Sequence, residues 1–326
     1  MKKIISVIIL LAMTLCLFAG CATEPKNEDD GIYKIAIVQQ LDHPSMTEIR
    51  TAIENKLDLL ADKKNVTIEH KDFSGNNDAT VLNQIGSQVV SDGYDAIIPI
   101  GTLAAQCMVT AAEGTKIPVV YAAVSDPKNS GLTGLERVTG TSDALNTPFI
   151  MEMMLAVNPE IKTVGLLYSN SEPNSATPIT EAKAYLDGIG IAYIEKTGNN
   201  ASEIIAAAES LVDRVDAVFT PTDNVVMASE GAVAEILNAA GIPHYAGADS
   251  FVTSGAFATC GVNYTELGEK TAEMAINVLQ TGKVPEFHVM SGGIITVNTE
   301  TAAALKLDYS EFEKLANTVK EVKTGE

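Results

Sequence analysis

The chain has 326 residues, with 42 acidic against 22 basic side chains and a formal net charge of -20. A surface this acidic repels a phosphate backbone, which excludes nucleic acid as a partner. The length is more than one compact core fills and fits two lobes.

Lys2 and Lys3 precede an apolar run from Ile4 to Phe18, which ends in Ala19-Gly20-Cys21. The run is shorter than the roughly 20 residues a spanning helix needs, so it reads as an export signal. Residues 1–20 are expected to be removed and Cys21 to be lipidated. An ordinary secretory signal with a chance cysteine is the alternative, since Phe18 stands where leucine is commoner. One acyl chain holds weakly, and the diacylglycerol added in bacterial lipoprotein processing would meet the need for more. Residues 21–31 are polar and charged and read as a flexible acidic tether. On this reading the rest of the chain lies on the extracytoplasmic face of the membrane, held there by the lipid on Cys21.

A short strand follows at Tyr33–Val38, then a helix with Met46, Ile49, Ile53, Leu57 and Leu60 on one face. Val66–His70 reads as a strand, Val81, Ile85 and Val89 mark a helix, and Ala96–Ile100 is a buried strand. Pro99 is expected to end that strand's ladder, because proline offers no donor. A helix over Thr102–Ala112 and a strand over Pro118–Val124 complete the first set. The rhythm restarts with strands at Thr163–Tyr168, Ala192–Glu195, Ala217–Thr220 and His244–Gly247. Helices around Thr180–Asp187, Ser202–Val212 and Val225–Ala240 separate them.

Near-continuous apolar strands alternating with amphipathic helices mean parallel sheets covered on both faces. The expected class is α/β, with two doubly wound parallel-sheet lobes joined by a multi-strand hinge. The first lobe is assigned residues 32–142 plus about 262–290. The second is assigned 143–261 plus about 291–310, and 311–326 are left as a C-terminal tail.

Open α/β sheets bind ligands beyond the carboxyl ends of their strands. Those positions hold Gln39 to His43, Gly101-Thr102, Ser125-Asp126-Pro127, Ser169 to Ser175, Thr220 to Asn224 and Ala246 to Ser250. Small polar side chains at helix starts favour carboxylates, and Glu172, Asp223 and Asp249 suit an ammonium group. The set fits a zwitterion such as an amino acid, although each residue alone also serves as an ordinary helix cap. There is no GxSxG elbow, Walker lysine or dinucleotide spacing, so a binding protein without chemistry is favoured over an enzyme. No cofactor is expected. His43, His70, His244 and His288 are scattered and there is no CxxC, so no metal is expected either. A disulfide between Cys107 and Cys260 is permitted outside the cytoplasm, but nothing in their spacing demands one, and two buried thiols are the preferred reading.

Val124-Ser125-Asp126-Pro127, Thr139-Gly140-Thr141-Ser142, Ser171-Glu172-Pro173-Asn174-Ser175 and Val262 to Gly268 carry a resemblance. They are similar to the ABC-transporter substrate-binding lipoproteins that include tryptophan- and other aromatic-amino-acid-binding proteins. The resemblance implies a type I periplasmic-binding-protein architecture, two lobes closing on a ligand, and an ABC permease in the membrane as partner. It implies an amino-acid-like solute, with tryptophan, phenylalanine or tyrosine leading. The chain has no tryptophan, so an aromatic ligand would stack on Tyr or Phe, or sit against aliphatic side chains. A nucleoside or sugar receptor of the same fold, or a solute sensor not coupled to transport, are the alternatives.

The expected ligand-binding residues are Gln40, Thr102 and Ser125 from the first lobe. From the second they are Ser171, Glu172, Asn174, Ser175, Asn224 and Asp249. Asp249 is ranked first, and Glu172 second, as partner of an ammonium group.

Overall fold

The computed structural model describes residues 32–325. The expected signal segment, Cys21 and the tether lie outside the described residues.

Strand β1 (Ile32–Gln39) buries Ile35, Ala36, Ile37 and Val38 completely, as a strand covered on both faces must. It is joined by β2 (Thr67–Ser74), β3 (Ala96–Ile100), β4 (Val119–Tyr121), β5 (Val138–Ser142) and the two-residue β11 (His288–Val289). They form a sheet in the order β11-β5-β4-β3-β1-β2. The second sheet contains β6 (Thr163–Tyr168), β7 (Ala192–Thr197), β8 (Ala217–Thr220), β9 (His244–Ala246), β10 (Ala258–Gly261), β12 (Ile294–Asn298) and β13 (Thr318–Val322). Its order is β13-β12-β10-β9-β8-β6-β7. The β10–β12 pairing is antiparallel and the other pairings recorded for this sheet are parallel. The architecture is therefore α/β with two parallel-dominated sheets.

Two expectations are corrected. The ladder does not stop at Pro99: β1 and β3 stay in register through Val38 with Pro99 and Gln39 with Ile100. The Pro99 carbonyl faces β4, accepting from Ala122 N at 2.8 Å. Backbone N–H and C=O of one residue point the same way in a parallel strand, so the missing donor is lost on the β4 side, where that strand is short. The segment read as a C-terminal tail forms a helical turn at Phe312–Leu315 and the edge strand β13. Phe312 is fully buried against Phe257, 6.1 Å between ring centroids.

Helix α1 (Pro44–Lys64) follows β1. His43 caps it, with Nδ1 accepting from Met46 N at 3.5 Å, and Pro44 occupies the first turn, where its missing N–H costs nothing. Helices α2 (Ala79–Ser91) and α3 (Thr102–Ala112) follow β2 and β3, and α4 (Thr147–Val157) opens the second lobe. After β6 a short 3-10 turn at Pro173–Ser175 leads into α5 (Ala176–Ile189), and α6 (Ala201–Glu209) follows β7. The expected single helix over 225–240 is two: α7 (Asn224–Met227) and α8 (Glu230–Ala239), parted at Ala228 and Ser229. Next come α9 (Asp249–Thr253) and α10 (Tyr264–Thr281).

The chain passes between the sheets three times, at residues 143–146, 262–263 and 290–293. After the second passage α10 packs along α1 on the first sheet. The helices touch closely at Gly268, where an added Cβ would lie 2.6 Å from Ile49 O and 2.7 Å from Ala52 Cβ. Lys56 clamps the same pair through Glu269 at 3.1 Å and Glu273 at 2.7 Å.

Candidate ligand-binding cleft

The carboxyl ends of both sheets face each other, and side chains from the two lobes bond directly across the gap. Gln40 Nε2 donates to Glu172 Oε1 at 3.0 Å, and Ser45 Oγ donates to Ser250 Oγ at 2.6 Å. Ser125 Oγ meets Thr222 Oγ1 at 3.2 Å, and Thr177 Oγ1 donates to Asp126 Oδ2 at 2.7 Å near the rim. His43 Nε2 lies 3.0 Å from Asn224 Oδ1. Asn224 uses its amide nitrogen on Glu172 Oε2 at 2.6 Å, so its oxygen is left to accept and His43 Nε2 is the donor. Burial holds His43 below its ordinary pKa, which keeps the ring neutral for these two bonds. The cleft is closed.

Between the lobes lies a cavity. Its polar wall includes Thr102, Ser125, Asp143, Asn174, Asp223 and Asn224. Its apolar wall includes Met46, Ile49, Met227, Phe251 and Tyr264. Thr102 Oγ1 and Asn174 Oδ1 are buried and have no hydrogen-bond partner among the described residues. A buried polar atom left unpaired costs about 1–3 kcal/mol, and both of these belong to residues of the cavity wall. Thr102 stands at the start of α3, whose positive dipole end favours an anion, and the next amide, Leu103 N, is already taken by Gln40 Oε1 at 3.1 Å. Gly101 before it has φ 94, and a Cβ there would lie 2.9 Å from Gln40 Oε1 and Met46 Cε. Only glycine lets the strand turn into the helix so close to those side chains.

Carboxylates gather on the other side of the charge balance. Asp143, in the first passage between lobes, accepts from Ser125 Oγ at 2.9 Å and Tyr264 OH at 3.2 Å. Burial raises its pKa against those bonds. Asp223 accepts from four donors: Ser169 N at 2.7 Å, Ser175 Oγ at 2.6 Å, and Val225 N and Val226 N at 3.0 Å each. Glu172 is pushed up to about 7, by burial first and then by the charge of Asp223. A cationic group entering this cleft would relieve that crowding.

Thr102, Ser125, Asn174 and Asn224 of the expected residues line the cavity. Gln40, Glu172 and Ser175 stand one layer behind: Gln40 bonds Glu172, Glu172 bonds Asn224, and Ser175 bonds Asp223. Two residues are placed elsewhere. Ser171 is exposed and pairs with Ser169 Oγ at 2.7 Å. Asp249 turns outward to a separate recess, with Lys320 Nζ 3.9 Å away and Glu48 raising its pKa after burial does. His43 and Ser250 lie in the strand-end loops named from the sequence but not among the expected ligand residues, and Ser45, Asp143 and Tyr264 were in neither. Asp143 sits at the expected lobe junction, which was the available signal for it.

The model of the family described as ABC transporter substrate binding protein matches residues 34–323. This chain belongs to that family. The substrate-binding protein is 32% identical to a tyrosine-binding protein of Clostridioides difficile, over all of this chain and 97% of the relative. It is similar to a structure in complex with L-Trp from Streptococcus pneumoniae, at 28% identity and TM-score 0.82, covering 88% of this chain and 99% of the other. A ligand-free, open structure of a substrate binding protein with adhesive properties from Clostridium difficile is 31% identical, with coverage of 90% and 99%. Its TM-score is 0.67. The lower score at higher identity agrees with the lobe-to-lobe bonds: the present chain is in a closed form.

Proposed function

We propose that this substrate-binding protein captures an aromatic L-amino acid outside the cytoplasm and delivers it to an ABC permease. It is held at the membrane by lipid on Cys21 and does no covalent chemistry. The observation that carries the ligand class is the pair of buried, unpartnered atoms Thr102 Oγ1 and Asn174 Oδ1. They share one cavity with Asp143 and Asp223 and with the rings of Phe251 and Tyr264. The ligand carboxylate is assigned to Thr102 and the start of α3, and the ammonium group to the Asn174 oxygen and the carboxylates. The ring is assigned to the apolar wall. The named relatives that bind tyrosine or tryptophan support the same reading. Residues 32–142 with 262–290, and 143–261 with 291–325, the latter including β13, are proposed to move as two bodies, with ligand contacts to both favouring the closed form.

A thermal-shift screen across amino acids, nucleosides and sugars tests the ligand. Ligand at a hundredfold excess over Kd stabilises by about 2.7 kcal/mol, and aromatic amino acids should lead. A shift given only by sugars or nucleosides overturns the reading. For the anchor, Cys21→Ser should release the protein from the membrane fraction, and retention equal to wild type would refute lipidation.

A further inference from the structure

Ser45 and Ser250 come from opposite lobes, from the first turns of α1 and α9, and meet inside the closed cleft. Both are buried and both line the cavity. They sit among its apolar residues: Met46 and Ile49 follow Ser45 on α1, Phe251 adjoins Ser250, and Met227 touches it. They belong to the loops after β1 and β9, whereas Thr102, Ser125 and Asn174 come from those after β3, β4 and β6. A hydroxyl pair at the apolar part of a site is unexpected if that part receives only hydrocarbon.

The pair also has hydrogen-bonding capacity to spare. Ser45 gives its proton to Ser250 and accepts from no described residue. The Ser250 hydroxyl is directed to Met227 Sδ at 3.1 Å, and a thioether is a weak acceptor. A group that both donates and accepts would fill the two gaps together, donating to Ser45 Oγ and accepting from Ser250 Oγ.

We propose that Ser45 and Ser250 read a hydroxyl at the far end of the ligand ring, making the site selective for a phenolic amino acid over its unhydroxylated counterpart. This rests on the amino-acid reading above. A site that hydrogen-bonds a ligand hydroxyl discriminates against the analogue lacking it more strongly than a hydrocarbon pocket separates ligands by size.

Calorimetric titration of L-tyrosine and L-phenylalanine into wild type, Ser45→Ala and Ser250→Ala tests this. Wild type should prefer tyrosine by about tenfold or more. Each alanine variant should bring the ratio to within about threefold, mainly by weakening tyrosine. Loss of the lobe-to-lobe bond weakens both ligands alike and cancels in the ratio, while retained phenylalanine binding shows that the variant folds. On the unaltered protein, meta-tyrosine should bind no better than phenylalanine. Equal wild-type affinities for tyrosine and phenylalanine, or a ratio unchanged in both variants, overturn the proposal while leaving the amino-acid reading intact. If no aromatic amino acid binds wild type at all, that reading falls and the proposal with it.

Discussion

Glu172 in the second lobe and Gln40 in the first are joined by a 3.0 Å hydrogen bond, with both side chains buried. Gln40 also accepts from Leu103 N at 3.1 Å and donates to Asn77 Oδ1 at 2.7 Å, so Glu172 is docked onto the framework of the first lobe. The bond exists only while the cleft is shut, and it holds a carboxyl group whose protonation the closed form favours.

That coupling predicts a pH dependence. The folded, closed protein raises the Glu172 pKa from 4.5 to about 7 and so binds a proton more tightly than the unfolded chain. The associated stability is full below 4.5 and is lost as pH rises to about 7. Melting temperature measured across that window should fall less steeply for Glu172→Gln than for wild type, because the amide has no proton to lose. Parallel curves would show that Glu172 does not titrate in this range.

Asp223→Ala removes the acceptor of four donors at a buried site. The loss should be about 3 kcal/mol or more in denaturant unfolding. Asp223→Asn retains one acceptor oxygen and should lose less.

Thr102→Val separates binding from folding. The hydroxyl has no partner among the described residues, so unliganded stability should hold or rise slightly, while ligand affinity drops about tenfold. Calorimetry and thermal melting on the same sample read both quantities. An unchanged affinity would remove Thr102 from the contacts.

Asp249→Asn should leave ligand affinity within about twofold, since the carboxylate faces Lys320 in a recess outside the cavity. A tenfold loss would restore Asp249 to the ammonium role that its loop position suggested.

Gly268→Ala places a methyl against Ile49 O and Ala52 Cβ, forcing α1 and α10 apart. Overpacking of this kind costs about 1–3 kcal/mol. Ile49 lines the cavity, so affinity should fall together with stability.

Much of the framework was legible because its signals are local. The face of Met46, Ile49, Ile53, Leu57 and Leu60 marks α1, and the short apolar runs mark the central strands. β5 and β13 were missed because VTGTS and TVKEV lack a continuous apolar run; neighbouring strands stabilise them. The first three turns of the second lobe, α4, are apolar nearly all round, which hides the helical period. Site loops could be named because strand ends are predictable. Which side chains in them turn inward is decided by partners distant in sequence: Asn224 is aimed by His43 of the opposite lobe, whereas Asp249 faces Lys320 of its own. No local pattern encodes those partners.

The last strand has a consequence for handling the protein. β13 pairs with β12 at five positions, from Ile294 with Thr318 to Asn298 with Val322. It therefore covers the backbone edge of the strand that follows the third passage between lobes. A chain cut back to about residue 310 would present β12 as an open, β-branched ribbon edge, a template for intermolecular pairing. Such a shortened protein should aggregate during refolding, while a tag appended after residue 326 should leave it soluble.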